Sequence, residues 1–254
     1  MSWHSRGWEK ILAVYDAVDQ SLLKLLTRDD IAAIATQESS GRPAVIGRDR
    51  ATGESKIGVL QLRLDDARPQ LPAEQFSLAD GALAELLKQP AANLALGVKH
   101  LEAIAHDLRS SGVKAGSLLP YVAVAHYLGI RPATGPSVYR RLAQALLGPG
   151  AVDLPDWGAL KGANGDGAWA RHAQKVLWNW EFGTGRRRAD LSASSRERAY
   201  REVGGGAANR SGAGQGGELA TAGGDNTVVY LAGAGLGILL LLAAVSGKRK
   251  RKAA

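Results

Sequence analysis

The feature of this 254-residue chain best suited to chemistry is a carboxylic acid at the end of an apolar helical run. The run starts at Ile31 and closes in Gln37-Glu38-Ser39-Ser40-Gly41-Arg42-Pro43. Partial burial at such a place disfavours the charged form of Glu38, raises its pKa and readies it for proton transfer. Further along stands Gly58-Val59-Leu60-Gln61. Its glycine allows close approach of backbone, and its glutamine amide offers both a donor and an acceptor. A third segment, Tyr121-Val122-Ala123-Val124-Ala125-His126-Tyr127-Leu128-Gly129, sets an imidazole next to an aromatic ring. His100 and His106 are not three or four residues apart, so they form no helical metal-ligand pair and read as surface histidines. No metal and no cofactor is expected. The chain has no cysteine, which excludes a disulfide framework and a thiolate metal site.

The elements that must position these groups are almost all helices. Trp8, Ile11, Leu12, Tyr15 and Val18 recur at helical spacing, with Leu22, Leu23, Leu25 and Leu26 continuing or restarting the helix. Thr27-Arg28-Asp29-Asp30 supplies capping chemistry ahead of Ile31, Ile34 and Ala35. Residues 41–57 read as loop, broken by Gly41, Pro43, Gly47 and Gly53, and a short helix is expected to begin near Ile57. Further helices are expected over 78–88, 91–109, 117–128 and 136–147, and from Trp169 to Phe182. No alternating strand run of convincing length and no internal repeat stands out.

Composition shifts after this helical body. Residues 203–226 are rich in Gly and Ala with hardly a large apolar side chain, the signature of a flexible linker. Such a coil spans roughly 25 Å root-mean-square. Residues 227–247 are apolar and uncharged, long enough at 1.5 Å per residue to cross a bilayer core of ~30 Å. Gly233 and Gly237 make a small-xxx-small pair that suits self-association of two such helices. The tail, 248–254, opens with Lys248-Arg249-Lys250-Arg251-Lys252 and reads as a membrane-side anchor. The net charge of +8 comes largely from this tail and from Arg186-Arg187-Arg188. A basic surface suits an anionic polymer or an anionic membrane, and nothing else in the chain calls for a specific nucleic acid. Met1 to Lys10 lacks the uninterrupted apolar core and cleavage site of a secretory signal.

Glu38-Ser39 followed by Gly58-Val59-Leu60-Gln61 resembles the Glu-Ser and Gly-Leu-Met-Gln motifs of soluble lytic transglycosylases. These are the goose-lysozyme-like enzymes that cut the glycan strands of peptidoglycan. Leu60 stands where the family usually has Met. Ala91-Ala92-Asn93-Leu94-Ala95-Leu96-Gly97-Val98-Lys99-His100-Leu101 resembles the family's Asn…Gly…Leu helix, in which small residues let helices pack closely. His126 and Tyr127 occupy the Tyr and Asn places of the family's Ala-Tyr-Asn-Ala-Gly, a real departure. An Ala-His-aromatic-Leu-Gly version is similar to transglycosylase domains attached to phage structural proteins. The resemblance covers roughly residues 25–145.

The resemblance implies a mainly α fold with a lysozyme-like transglycosylase domain over 27–150. An N-terminal amphipathic helix region (1–26) would precede it and a helical extension (151–202) would follow. It implies that Glu38 first protonates the leaving oxygen and then takes a proton from the C6 hydroxyl of N-acetylmuramic acid, closing a 1,6-anhydro ring. Ser39 would orient Glu38 or hydrogen-bond the N-acetyl group, with a helix-end cap as the equal alternative. Gly58 and Gln61 would meet the sugar, or form an ordinary turn. His126 would hydrogen-bond a sugar and Tyr127 would support a ring face, or both would be core packing. Tyr139 would reach Glu38. Trp157, Trp169, Trp178 and Trp180 lie outside the resemblance and read as core more readily than as sugar platforms.

Two other readings stay open. A hydrolytic muramidase would need a second carboxylate, for which Asp49, Glu54, Asp65 and Asp66 are near enough in sequence. An inactive wall-binding protein would fit the altered Ala-His-Tyr motif. The anchor and the lack of a secretory signal suit a single-pass protein of a virion's internal membrane, acting at the host envelope. The same layout suits a bacterial inner membrane with the enzyme in the periplasm, as in a conjugation or secretion apparatus.

Overall fold

The structure, a computed structural model, describes residues 3–16, 20–42, 44–48, 53–132, 136–160, 162–163 and 165–204. It is mainly helical. The helices are α1 (Trp3–Tyr15), α2 (Arg28–Ser39), the short α3 (Leu64–Ala67), α4 (Asp80–Leu87), α5 (Pro90–Ser110), α6 (Ala115–Leu128), α7 (Val138–Leu147), α8 (Ala168–Thr184) and α9 (Ala193–Ala199). Two three-residue strands, β1 (Ile46–Arg48) and β2 (Ser55–Ile57), form an antiparallel pair in the register Ile46↔Ile57, Gly47↔Lys56, Arg48↔Ser55. Single turns of 3-10 helix fill several of the connections.

Local chemistry explains the key boundaries. Thr27 and Asp30 form a reciprocal capping box, in which the Thr27 hydroxyl accepts from the Asp30 amide and the Asp30 carboxylate accepts from the Thr27 amide. At the other end of α2, Ser40 and Gly41 turn left-handed at φ 56° and 73°. A Cβ on Gly41 would stand 2.7 Å from the Gly7 carbonyl oxygen, so α1 meets the end of α2 backbone to backbone. Glu102 replaces water for the loop before α2, accepting from the amides of Lys24, Leu25 and Leu26 at 2.9–3.2 Å. The helix α2 is therefore held at its start by the capping box and Glu102, and at the end that carries Glu38 by the backbone of α1.

The centre of the core is α6, buried on every side from Ser117 to His126. It packs on α5 and α8, and α8 also runs along α2. Asn179 ties the latter pair together by donating to the Ala33 carbonyl at 3.4 Å. Residues 1–206 form one compact unit. Within it α1 packs on α2, and α8 packs on both α2 and α6.

Several sequence expectations shift. The loop expected over 41–57 contains the hairpin, whose strands are too short to show alternation. The helix expected near Ile57 is instead a turn over Gly58–Gln61, closed by the Ile57↔Leu62 bridge. The helix itself starts at Leu64. The first helix stops at Tyr15, before Val18. His100 is buried, not a surface residue, whereas His106 is exposed. Among the described residues no helix is long and apolar enough to cross a membrane. The membrane segment 227–247, the tail 248–254, the linker beyond Gly204 and Asp49 lie outside the described residues.

Candidate active site

Glu38 sits in the last turn of α2 with its side chain only 9% exposed. Burial pushes its carboxyl above the usual carboxylate range, while His126, Lys56 and Arg63 pull the other way. Among the described residues the charged groups acting on it are His126, Lys56 and Arg63, none of them acidic. His172 of α8 brings its Nε2 to 3.3 Å from Oε1 of Glu38, and neither atom has a hydrogen bond. Burial, reinforced by Lys56 and Lys175, holds the His172 imidazole down at about 3. The pair is therefore a neutral imidazole facing a carboxyl that favours its proton, not an ion pair at neutral pH. Tyr127 stacks on His172 with ring centroids 4.5 Å apart and planes 24° apart. Lys56 Nζ lies 5.7 Å from the Tyr127 centroid. Glu38, His172, Tyr127 and Lys56 make one cluster drawn from α2, α8, α6 and β2.

A layer of fixed backbone lies beside it. Gly58 adopts φ +80°, and a Cβ there would collide with the Asn93 amide and the Leu87 carbonyl oxygen. Asn93 accepts from the Leu60 amide at 2.8 Å and donates to the carbonyls of Ile57 and Leu87 at 2.9 and 3.0 Å. That gives Asn93 the packing role expected of its helix, here as a pin for the turn. His126 contacts the Leu60 carbonyl through Nε2 at 2.9 Å, which requires the proton on Nε2 because a carbonyl only accepts. Its ring meets His100 edge-on at 5.6 Å. Burial lowers His126 to about 4, so it is neutral at pH 7.

Several residues expected to bind substrate are engaged elsewhere. The Ser39 hydroxyl donates to the Ala35 carbonyl at 3.1 Å and accepts from the Gly41 amide at 3.2 Å, which is the helix-end cap of its two open roles. Gly58 serves the turn. Gln61, buried and at φ 50°, donates its amide to the carbonyls of Val45 and Gly58 at 3.0 and 2.8 Å, clamping the hairpin. His126 faces the core. Tyr139 accepts from the Leu154 amide at 2.8 Å and secures the segment after α7, not Glu38. Tyr127 is the expected ligand that stays at the cluster, half-exposed, with one ring face on His172.

The neighbouring carboxylates are paired. Glu54 lies 3.4 Å from Arg63, Asp65 lies 3.1 Å from Arg131, and the buried Asp66 lies 3.6 Å from both guanidinium groups. Among the described residues no group of three metal-ligating side chains occurs. Trp157 and Trp178 are buried, Trp169 packs edge-on against Trp157, and Trp180 lies beneath Arg186 and Arg188. Arg186 and Arg188 also pair with Asp29 and Asp190, so this basic cluster is largely neutralised locally.

His172 and Lys56 are the cluster members that the sequence reading missed. His172, Val176 and Asn179 share one helical face, and two polar groups on an otherwise apolar face were the available signal. Comparisons with protein-family models, with curated proteins and with solved structures returned no match.

Proposed function

We propose that the chain is a lytic transglycosylase that cuts the β-1,4 bond between N-acetylmuramic acid and N-acetylglucosamine in peptidoglycan. The observation that carries this reading is Glu38: a carboxyl at a helix end, buried, raised in pKa, and without a hydrogen-bonding partner on its inner oxygen. A carboxyl whose pKa is raised holds its proton to higher pH and can deliver it to the glycosidic oxygen as the C1–O bond breaks. The resulting carboxylate then takes the proton of the C6 hydroxyl while O6 bonds to C1. One group acts as acid and then as base, and no water is consumed.

Among the described residues Glu38 is the candidate carboxyl that no arginine pairs, which favours this route over hydrolysis. Hydrolytic glycosidases generally use two carboxyl groups, and Glu54, Asp65 and Asp66 are tied to Arg63 and Arg131. In this reading residues 203–226 tether the lysozyme-like domain to a membrane helix at 227–247, with 248–254 as its basic flank. The protein then belongs to a membrane-containing virion and opens the host wall locally.

Two measurements test the assignment. Glu38→Gln should abolish clearing of purified sacculi while the protein stays folded, since the amide cannot give up and retrieve a proton. Acid-base catalysis is worth about 10²–10⁴-fold, so more than a tenth of the wild-type rate in a folded variant would overturn the role. Mass spectrometry of released muropeptides should show 1,6-anhydro ends. Reducing ends alone would make the protein a muramidase.

A further inference from the structure

We propose that His172 is a positioning residue for Glu38, donating from Nε2 to Oε1 so that Oε2 faces the bond being cut. The inference rests on the acid-base role given to Glu38 above. Its grounds are geometric: two buried polar atoms on different helices lie 3.3 Å apart, and neither has a hydrogen bond. Their separation is already within hydrogen-bond distance. Buried polar groups are nearly always satisfied, so two orphans facing each other define a shared bond.

The surroundings suit a neutral donor. Tyr127 holds the imidazole plane by stacking. Lys56 from β2 and Lys175, about one turn further along α8, both disfavour a charge on His172. A charged imidazole would draw the proton off Glu38 and spoil it as an acid. A neutral one fixes the carboxyl without ionising it. Around Glu38 itself the other charged or titratable groups among the described residues are Lys56, Arg63 before α3, and His126 from α6. With Oε1 anchored, the carboxyl presents one oxygen for both steps of the reaction, donating its proton and then accepting one.

The test uses the full chain in detergent and the variants His172→Phe, which removes the donor, and His172→Gln, whose side-chain amide restores one near Nε2. For cleavage of sacculi, His172→Phe should lower kcat about 10–100-fold with KM little changed, as expected for a misplaced reacting group. Its alkaline limb should move to higher pH, because a carboxylate that loses a donor becomes harder to form. His172→Gln should recover most of kcat and the position of that limb. Independently of activity, ¹³C-carboxyl NMR with Glu38→Gln for assignment should show Glu38 titrating higher in His172→Phe than in wild type. If His172→Phe does not fold, His172→Asn, whose amide stops short of Oε1, takes its place. Equal Glu38 titration in wild type and the donor-free variant overturns the proposal. So do equal losses in His172→Phe and His172→Gln. A titration shift in a protein whose wild type cleaves nothing would uphold the His172–Glu38 bond and sink the transglycosylase reading instead.

Discussion

The side chain of Leu60 occupies the space that a Cβ on Gly97 would take, so the Gly58–Gln61 turn rests directly on the backbone of α5. Leu60 is fully buried and its amide is held by Asn93, so relief of the clash requires its side chain to repack within the core. Gly97→Ala should therefore destabilise the protein by about 1–3 kcal/mol through overpacking. In an open helical position the same change would stabilise by up to about 1 kcal/mol. Thermal denaturation gives the sign, and a raised Tm would show that the turn can shift.

Asn93 satisfies one amide and two carbonyls of the turn and of the end of α4. Asn93→Leu keeps the branched outline of the side chain, enlarges it, and removes all three hydrogen bonds. Each buried group left unsatisfied costs about 1–3 kcal/mol, so a loss of several kcal/mol is expected in denaturant unfolding. A loss below about 1 kcal/mol would mean that water replaces the amide.

Glu38 links stability to pH in a direction opposite to that of most carboxylates. Its folded pKa is raised, so its contribution is complete below the unfolded value of about 4.5 and is lost as pH rises through the folded value. Glu38→Gln removes that loss. The Tm advantage of Glu38→Gln over wild type should grow as pH rises above about 4.5, and an advantage that shrinks with pH would contradict the raised pKa of the buried carboxyl.

The two buried imidazoles act on the acid side. His126 is lowered to about 4 and His172 to about 3, from an ordinary value of about 6.5 in the unfolded chain. Between these values the unfolded state binds protons that the folded state does not, so stability rises with pH. It falls as pH drops from about 6.5, by up to about 1.4 kcal/mol per pH unit for each histidine. The decline from His126 ends near pH 4 and that from His172 near pH 3. Melting curves of His172→Gln should show a shallower decline than wild type over this window, and identical slopes would refute the buried neutral state of His172.

Removal of residues 227–254 tests the anchoring reading. The truncated protein should stay soluble, leave the membrane fraction and still cleave purified sacculi if residues 203–226 act as the flexible tether proposed above. Carbonate-resistant pelleting would place the anchor elsewhere. Loss of cleavage would make the tail part of the enzyme.

The sequence by itself determined the helical body, the start of α2 and the carboxyl at its end. Thr27 and Asp30 announce their helix through chemistry local to one turn, and an apolar run before Glu38 implies burial at its end. Such signals survive in one dimension because they depend on neighbours along the chain. The tertiary structure alone decided which way side chains face. On α6, apolar on all sides, no polar stripe tells that His126 turns inward to Leu60 while Tyr127 meets His172. Gly58, Gln61 and Ser39 carry polar or close-approach chemistry that serves a sugar or a turn equally well, and only their partners in space separate the two. The meeting of His172 with Glu38 depends on α8 lying along α2, a packing choice set by two apolar faces far apart in the chain.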